Sequence, residues 1–97
     1  MYARVTTVQG SAEQLEQGIR MINEIIIPRV SQAQGFKTGY WLADRQAGKV
    51  LGVVLWETQA DLEASRQLVP QLRAQIQEAI GVNSPPTVEE YEVIAQA

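Results

Sequence analysis

FKTGYWLADRQAGKVLGVVLWE, residues 36–57, holds two strand-like runs joined by a turn. Residues 36–45 and 49–57 are rich in aromatic and β-branched side chains, and Gln46-Ala47-Gly48 separates them. Gly48 is expected at positive φ, as the close of a short hairpin loop requires. Successive strand residues point to opposite faces of a sheet. In the second run Leu51, Val53 and Leu55 share one face, and Val50, Val54 and Trp56 share the other. In the first run Phe36, Tyr40 and Leu42 are expected to oppose Gly39, Trp41 and Ala43. Both faces of the hairpin are therefore apolar. A sheet with helices on one side only would alternate apolar and polar residues, so this hairpin calls for a layer on each side.

Upstream, residues 2–9 (YARVTTVQ) read as a strand that Gly10 ends. Ser11 has the character of a helix N-cap, with Gln14 completing a capping box. Leu15, Ile19, Ile22, Ile26 and Val30 then draw one apolar stripe along a helix, while Glu16, Arg20 and Glu24 lie on a polar side. Pro28 cannot donate to the carbonyl of Glu24, so a kink or stop is expected there. Downstream, Thr58 caps a second helix, with Asp61 and Glu63 in its first turns. Leu62, Val69, Leu72, Ile76 and Ile80 keep the helical period, with Ser65 filling one step. Pro70 predicts a bend or a restart, and Gly81 closes the helix. Residues 83–86 are a loop, and residues 87–94 (TVEEYEVI) the last strand.

The order strand, helix, strand, strand, helix, strand defines an α+β fold. Right-handed crossovers put both helices on one side of a four-stranded antiparallel sheet, strand order 4-1-3-2, in one domain over residues 1–97. This βαββαβ arrangement is the ferredoxin-like plait. Its bare apolar face exceeds what a soluble monomer usually exposes. A second copy packed sheet to sheet through a two-fold axis would cover it, giving a homodimer; the alternative is an open-faced plait whose bare face binds something else.

The 97 residues include eleven acids and eight bases, a net charge of −3, with no His and no Cys. That removes imidazole bases, Cys nucleophiles, disulfides, and thiolate or imidazole metal sites; no metal and no cofactor are implied. The bases are dispersed, so no nucleic-acid surface is expected. The longest fully apolar run, Val53-Val54-Leu55-Trp56, is far short of a membrane span. Residues 1–10 lack a signal-peptide pattern, leaving the cytoplasm as the default location. Gly48-Lys49 is followed by Val50 where a phosphate loop needs Ser or Thr. Without His, a serine triad lacks its usual base.

Four stretches carry a family resemblance: VTTVQGSAEQL at the first strand and helix start, Gln34-Gly35-Phe36 at the second strand, Asp44 to Gly48 at the hairpin, and VVLWETQADLEA across the third strand and helix cap. In their order and spacing the chain resembles the antibiotic-biosynthesis-monooxygenase-like proteins of the dimeric α/β-barrel superfamily, over nearly its whole length. The resemblance implies a dimeric barrel. It also implies an activity found in part of that family, the oxidation of aromatic polyketides by dioxygen without a cofactor. A heme-degrading branch uses an Asn in the first strand, a Trp ending the third, and a His on the second helix. These fall here on Ala3, on Trp56 and on no residue, so heme degradation by that route is not expected. Heme binding alone would need Tyr or water as the iron ligand.

Candidate site residues follow. Two roles fit Trp56: the wall of a flat pocket between sheet and helices, or packing under the second helix. Tyr40, Tyr91 and Tyr2 are hydroxyl donors or interface aromatics, and Tyr40 and Trp41 must face opposite ways. If Trp56 lies on the helix side, the resemblance puts Ala3 and Thr7 beside it, Thr7 as a donor, and turns Arg4 toward the dimer side. There it would need a carboxylate, Glu90 or Glu92 across subunits. Glu89, Glu90 and Glu92 offer acid–base or hard-metal chemistry, or guard the sheet edge. The pocket set is therefore Trp56, Tyr40, Tyr91 and Thr7, with no catalytic residue assigned. Two functions stay open: a cofactor-independent monooxygenase acting on a small aromatic or polyketide-like substrate, or a non-catalytic homodimeric module binding a small ligand or a partner.

Overall fold

The structure, a computed structural model, describes residues 1–68 and 86–97. Strand β1 (Tyr2–Gln9) leads into helix α1 (Ala12–Met21), which runs through a π-helical turn (Ile22–Ile26) into α2 (Ile27–Val30). Strands β2 (Phe36–Asp44) and β3 (Lys49–Trp56) follow, then helix α3 over residues 59–68, and β4 (Thr87–Glu92). The strands form one antiparallel sheet in the order β2-β3-β1-β4, as the sequence predicts. Pro70, Gly81 and the loop start at 83–85 fall outside the described residues. The last strand ends at Glu92, two residues short of the expectation.

Local chemistry accounts for the elements. Ser11 Oγ accepts from the Gln14 N–H at 3.3 Å and Gln14 Oε1 accepts from the Ser11 N–H at 2.8 Å, the reciprocal capping box that starts α1. The irregularity expected at Pro28 lies in the turn before it. The Ile27 N–H reaches the carbonyl of Ile22, five residues back, and Pro28 follows in the first turn of α2, just after this widened turn. At the hairpin, Asp44 Oδ1 accepts from the N–H groups of Gln46 (3.1 Å) and Ala47 (3.2 Å). Gly48 has φ 68° and bonds its carbonyl to Gly10 N–H at 2.8 Å; a Cβ there would lie 2.2 Å from the Gly10 carbonyl oxygen. Thr58 caps α3, accepting from the Asp61 N–H at 3.1 Å.

The core lies between sheet and helices. Trp56 is fully buried against Val30 and Leu62, with Phe36 edge-on at 6.1 Å and Ile25, Ile26 and Val54 around them. Phe36 reaches Trp56 because β2 carries a bulge. Phe36 pairs with Trp56 and Thr38 with Leu55, so Lys37 is the extra residue and the alternation slips by one. The expectation that Phe36 shares a face with Tyr40 and Leu42 is corrected. Phe36 joins Gly39, Trp41 and Ala43 on the helix side, and Tyr40 and Leu42 face away. The opposition of Tyr40 and Trp41 holds.

The far face carries no helix among the described residues. Val5, Leu51, Val53 and Leu55 are half-buried on it, and Tyr40, Leu42 and Tyr91 are 60%, 52% and 52% exposed. The second apolar face read from the hairpin is present.

Candidate functional site between sheet and helices

The β1–β3 register decides which first-strand residues stand with Trp56. Tyr2 pairs with Trp56, Arg4 with Val54 and Thr6 with Gly52, so the even-numbered residues share its face. Ala3, Val5 and Thr7 pair with Leu55, Val53 and Leu51 on the opposite face. Two expectations fall together: Thr7 does not line a space with Trp56, and Arg4 does not point to the dimer side. Tyr91, paired with Ala3, and Tyr40, paired with Val53, also lie on the open face. The predicted pocket set is thus split by the sheet, with Trp56 on one side and Tyr40, Tyr91 and Thr7 on the other. The heme-degrading family's first-strand Asn, matched to Ala3, likewise falls on the wrong face, since the neighbours of Trp56 are Tyr2 and Arg4.

Trp56 has one unmet need. Its indole Nε1–H is buried and has no hydrogen-bond partner among the described residues. A buried donor left unpaired costs roughly 1–3 kcal/mol, and such groups are rare enough to call for an explanation. The described side chains packed around it are aliphatic and aromatic, with Tyr2 bringing a hydroxyl.

Beside it stands a polar cluster. Arg4 is only 3% exposed. It donates from Nη1 to Ser65 Oγ (2.6 Å), from Nη2 to the Leu62 carbonyl (3.0 Å), and from Nη2 and Nε to Glu90 (2.8 and 3.3 Å). Ser65 Oγ in turn donates to the Leu62 carbonyl at 2.6 Å. Arg66 grips Glu90 from the solvent side, with Nη2 at 2.5 Å from Oε1. The Arg4–Glu90 pair named in the sequence as an inter-subunit pair is therefore made within one chain, under α3. The Arg66 hydrogen bond, joined by that of Arg4 and opposed by partial burial, holds the Glu90 carboxyl down at about 2. The same bond raises Arg66. Leu62 joins the two halves: its side chain packs on Trp56, and its carbonyl receives Arg4.

Ser65 and Arg66 were not singled out as site residues. A signal existed: Leu62, Ser65 and Arg66 stand three and four residues apart, which places them along one side of a helix, and Ser65 interrupts the apolar stripe. On the open face Tyr91 donates to Glu89, which raises the Tyr91 hydroxyl. Among the described residues no group of three His, Cys, Asp or Glu side chains could hold a metal ion, and no helix is long and apolar enough to cross a membrane.

This architecture recurs in solved structures. A monooxygenase from the gene ActVA-Orf6 of Streptomyces coelicolor, in complex with Nanaomycin D, superposes with TM-score 0.76 at 14% identity, covering 99% of this chain and 89% of that one. An antibiotic biosynthesis monooxygenase gives TM-score 0.72 at 12% identity, covering 98% and 100%. A dimeric ferredoxin-like protein from an uncultured marine organism gives 0.73 at 11%, covering 99% and 90%. The chain has the antibiotic-biosynthesis-monooxygenase-like form of the ferredoxin-like fold. No family model matches the sequence. In sequence it is 34% identical over 95 residues to the uncharacterized protein MT2634 of Mycobacterium tuberculosis strain CDC 1551 / Oshkosh, covering 98% of this chain and 42% of that protein. The same figures hold for the uncharacterized protein Rv2557 of strain H37Rv, so the chain spans less than half the length of these curated relatives.

Proposed function

We propose that the chain works as a homodimer, open sheet face to open sheet face. Each subunit takes a small aromatic or polyketide-like molecule into the layer beside Trp56 and oxygenates it without a cofactor. The observation that carries the pocket is the buried Trp56 N–H, which has no partner among the described residues: a carbonyl or phenolate oxygen arriving there would satisfy it and have its charge stabilised in a dry site. In such a reaction the substrate anion supplies the electrons. Where a ring methylene becomes a carbonyl, one atom of dioxygen enters the product and the other leaves as water. The dimer is supported by the exposed Tyr40, Leu42 and Tyr91 on the open face and by the dimeric ferredoxin-like neighbour.

One observation favours a second reading, a binding module without turnover. A carboxylate held at about 2 between two guanidinium groups is a poor base, and Glu90 is so held. The oxygenase reading therefore asks for substrates that ionise readily in water. Oxygen uptake with a panel of dihydroxy-aromatic compounds tests it. Uptake that falls in Trp56→Ala supports oxygenation. Thermal shifts with the same compounds but no uptake support the module. Neither effect would end the pocket reading.

A further inference from the structure

We infer that dimerisation through the open face is coupled to proton uptake at Glu89, so that the dimer tightens as the pH falls below neutrality. The inference rests on the reading that two copies pack open face to open face. The strand registers lay that face out in rows. Tyr40 pairs with Val53, Val53 with Val5, and Val5 with Glu89, so one row crosses all four strands from an exposed phenol ring to a carboxylate. In the single chain Glu89 is exposed. Tyr91, two residues on along the same face, donates its hydroxyl to Glu89 and so holds the carboxylate over the face.

No cation on this face stands near enough to replace the lost water. Among the described residues its one base is Lys49, opposite Gln9 and so four residues from Val5, about 13 Å along the strands from the Glu89 row. Lys49 pairs across the sheet with Asp44, whose carboxylate is engaged by the hairpin N–H groups. Lys37 is paired with Glu57 and Arg45 with Glu16, and Arg4 and Arg66 hold Glu90 on the helix side. A second copy brings the same set. Seated with its strands near-aligned and its apolar rows over these, it meets Glu89 with aliphatic and phenolic side chains or with its own Glu89. A carboxylate taken from water without a cationic partner favours its neutral form. The dimer therefore binds a proton per subunit that the single chain does not, and linkage makes it tighter as the pH falls. The chain has no His, so no imidazole titrates in this range, and Glu90, held at about 2, stays ionised through it.

Sedimentation velocity at constant ionic strength gives the dimer dissociation constant at about pH 7.5 and about pH 5, on either side of the ordinary imidazole range. The wild-type constant is expected to fall about tenfold on acidification. Glu89→Gln, which keeps the shape and removes the charge, should bind at the higher pH at least as tightly as the wild type does at the lower, and change less than about twofold between them. Glu13→Gln removes the same charge from the first turn of α1, off this face, and should keep the tenfold response. If the wild-type constant is unchanged or rises on acidification, or if Glu13→Gln abolishes the response as Glu89→Gln does, the proton link fails and the dimer stands. If the wild type and Glu89→Gln both sediment as single chains at each pH and concentration, the dimer reading fails and takes this inference with it.

Discussion

Replacing Arg4 with Met tests whether the polar cluster holds α3 to the sheet or merely decorates it. Arg4 contributes four hydrogen bonds from a side chain that water hardly reaches, two of them to a carboxylate. Removing one partner of a buried ion pair typically costs about 3–5 kcal/mol, because the other charge is left alone. Glu90 is not left alone here, since Arg66 still holds it, and Ser65 still satisfies the Leu62 carbonyl. Methionine also restores much of the buried volume. The expected loss for Arg4→Met is therefore lower, about 2–3 kcal/mol. Arg66→Gln acts on a guanidinium open to water and should cost only a small fraction of that. Urea unfolding of both variants, at two protein concentrations to separate folding from association, gives the comparison. The dimer dissociation constant should not respond to Arg4→Met, because the side chain lies on the helix side. Equal losses for the two variants, or a dissociation constant that moves with Arg4→Met, would refute the reasoning.

The same cluster predicts an acid response. The Glu90 carboxyl titrates at about 2 against an ordinary 4.5. A depressed carboxylate lends stability in full above its unfolded value and loses it as the pH falls through its folded value. The stability gap between wild type and Glu90→Gln should thus be constant near neutrality and close between about pH 4.5 and pH 2, as pH-dependent thermal melts would show. Gly35 has φ 79°, and a Cβ there would lie 2.1 Å from Asp61 Oδ2. Gly35→Ala should cost about 1–3 kcal/mol by urea unfolding, and pairing it with Asp61→Ala should recover only part, since the backbone strain stays. Leu42→Arg puts a charge on the open face and should shift the mass measured by light scattering from two chains to one; an unchanged mass would sink the sheet-to-sheet dimer. Deleting Lys37 removes the β2 bulge, so the Phe36–Trp56 contact and the Tyr40 and Trp41 faces cannot all be kept. A melting temperature as in the wild type would show that the bulge is not needed.

The sheet order and the doubly apolar hairpin were legible in the sequence because they follow from periodicity and connection rules. So were the Ser11 capping box and the positive φ of Gly48, which rest on neighbours in the chain. What was not legible depended on register. A bulge at Lys37 leaves the composition of β2 unchanged yet turns Phe36 to the other face. For β1, alternation alone says that Arg4 and Ala3 face opposite ways, and only its pairing with β3 says which way. The resemblance supplied that choice and supplied it the wrong way round, and the error carried Thr7 and Arg4 with it.

That reversal changes the chemistry assigned to each face. The open side carries Tyr40, Tyr91 and Thr7, hydroxyl groups among aliphatic residues, which suits an interface that needs apolar area and a few satisfied polar groups. The helix side carries Trp56, Trp41, the Arg4–Glu90–Arg66 cluster and Glu92, which accepts from the Tyr2 hydroxyl. Arg4 has neither the exposure nor a free direction to bond anything outside this cluster, since its donors are aimed at Glu90, Ser65 and Leu62. Its part is the anchoring of Leu62 on Trp56, which places Arg4 among the residues that shape the layer beside Trp56.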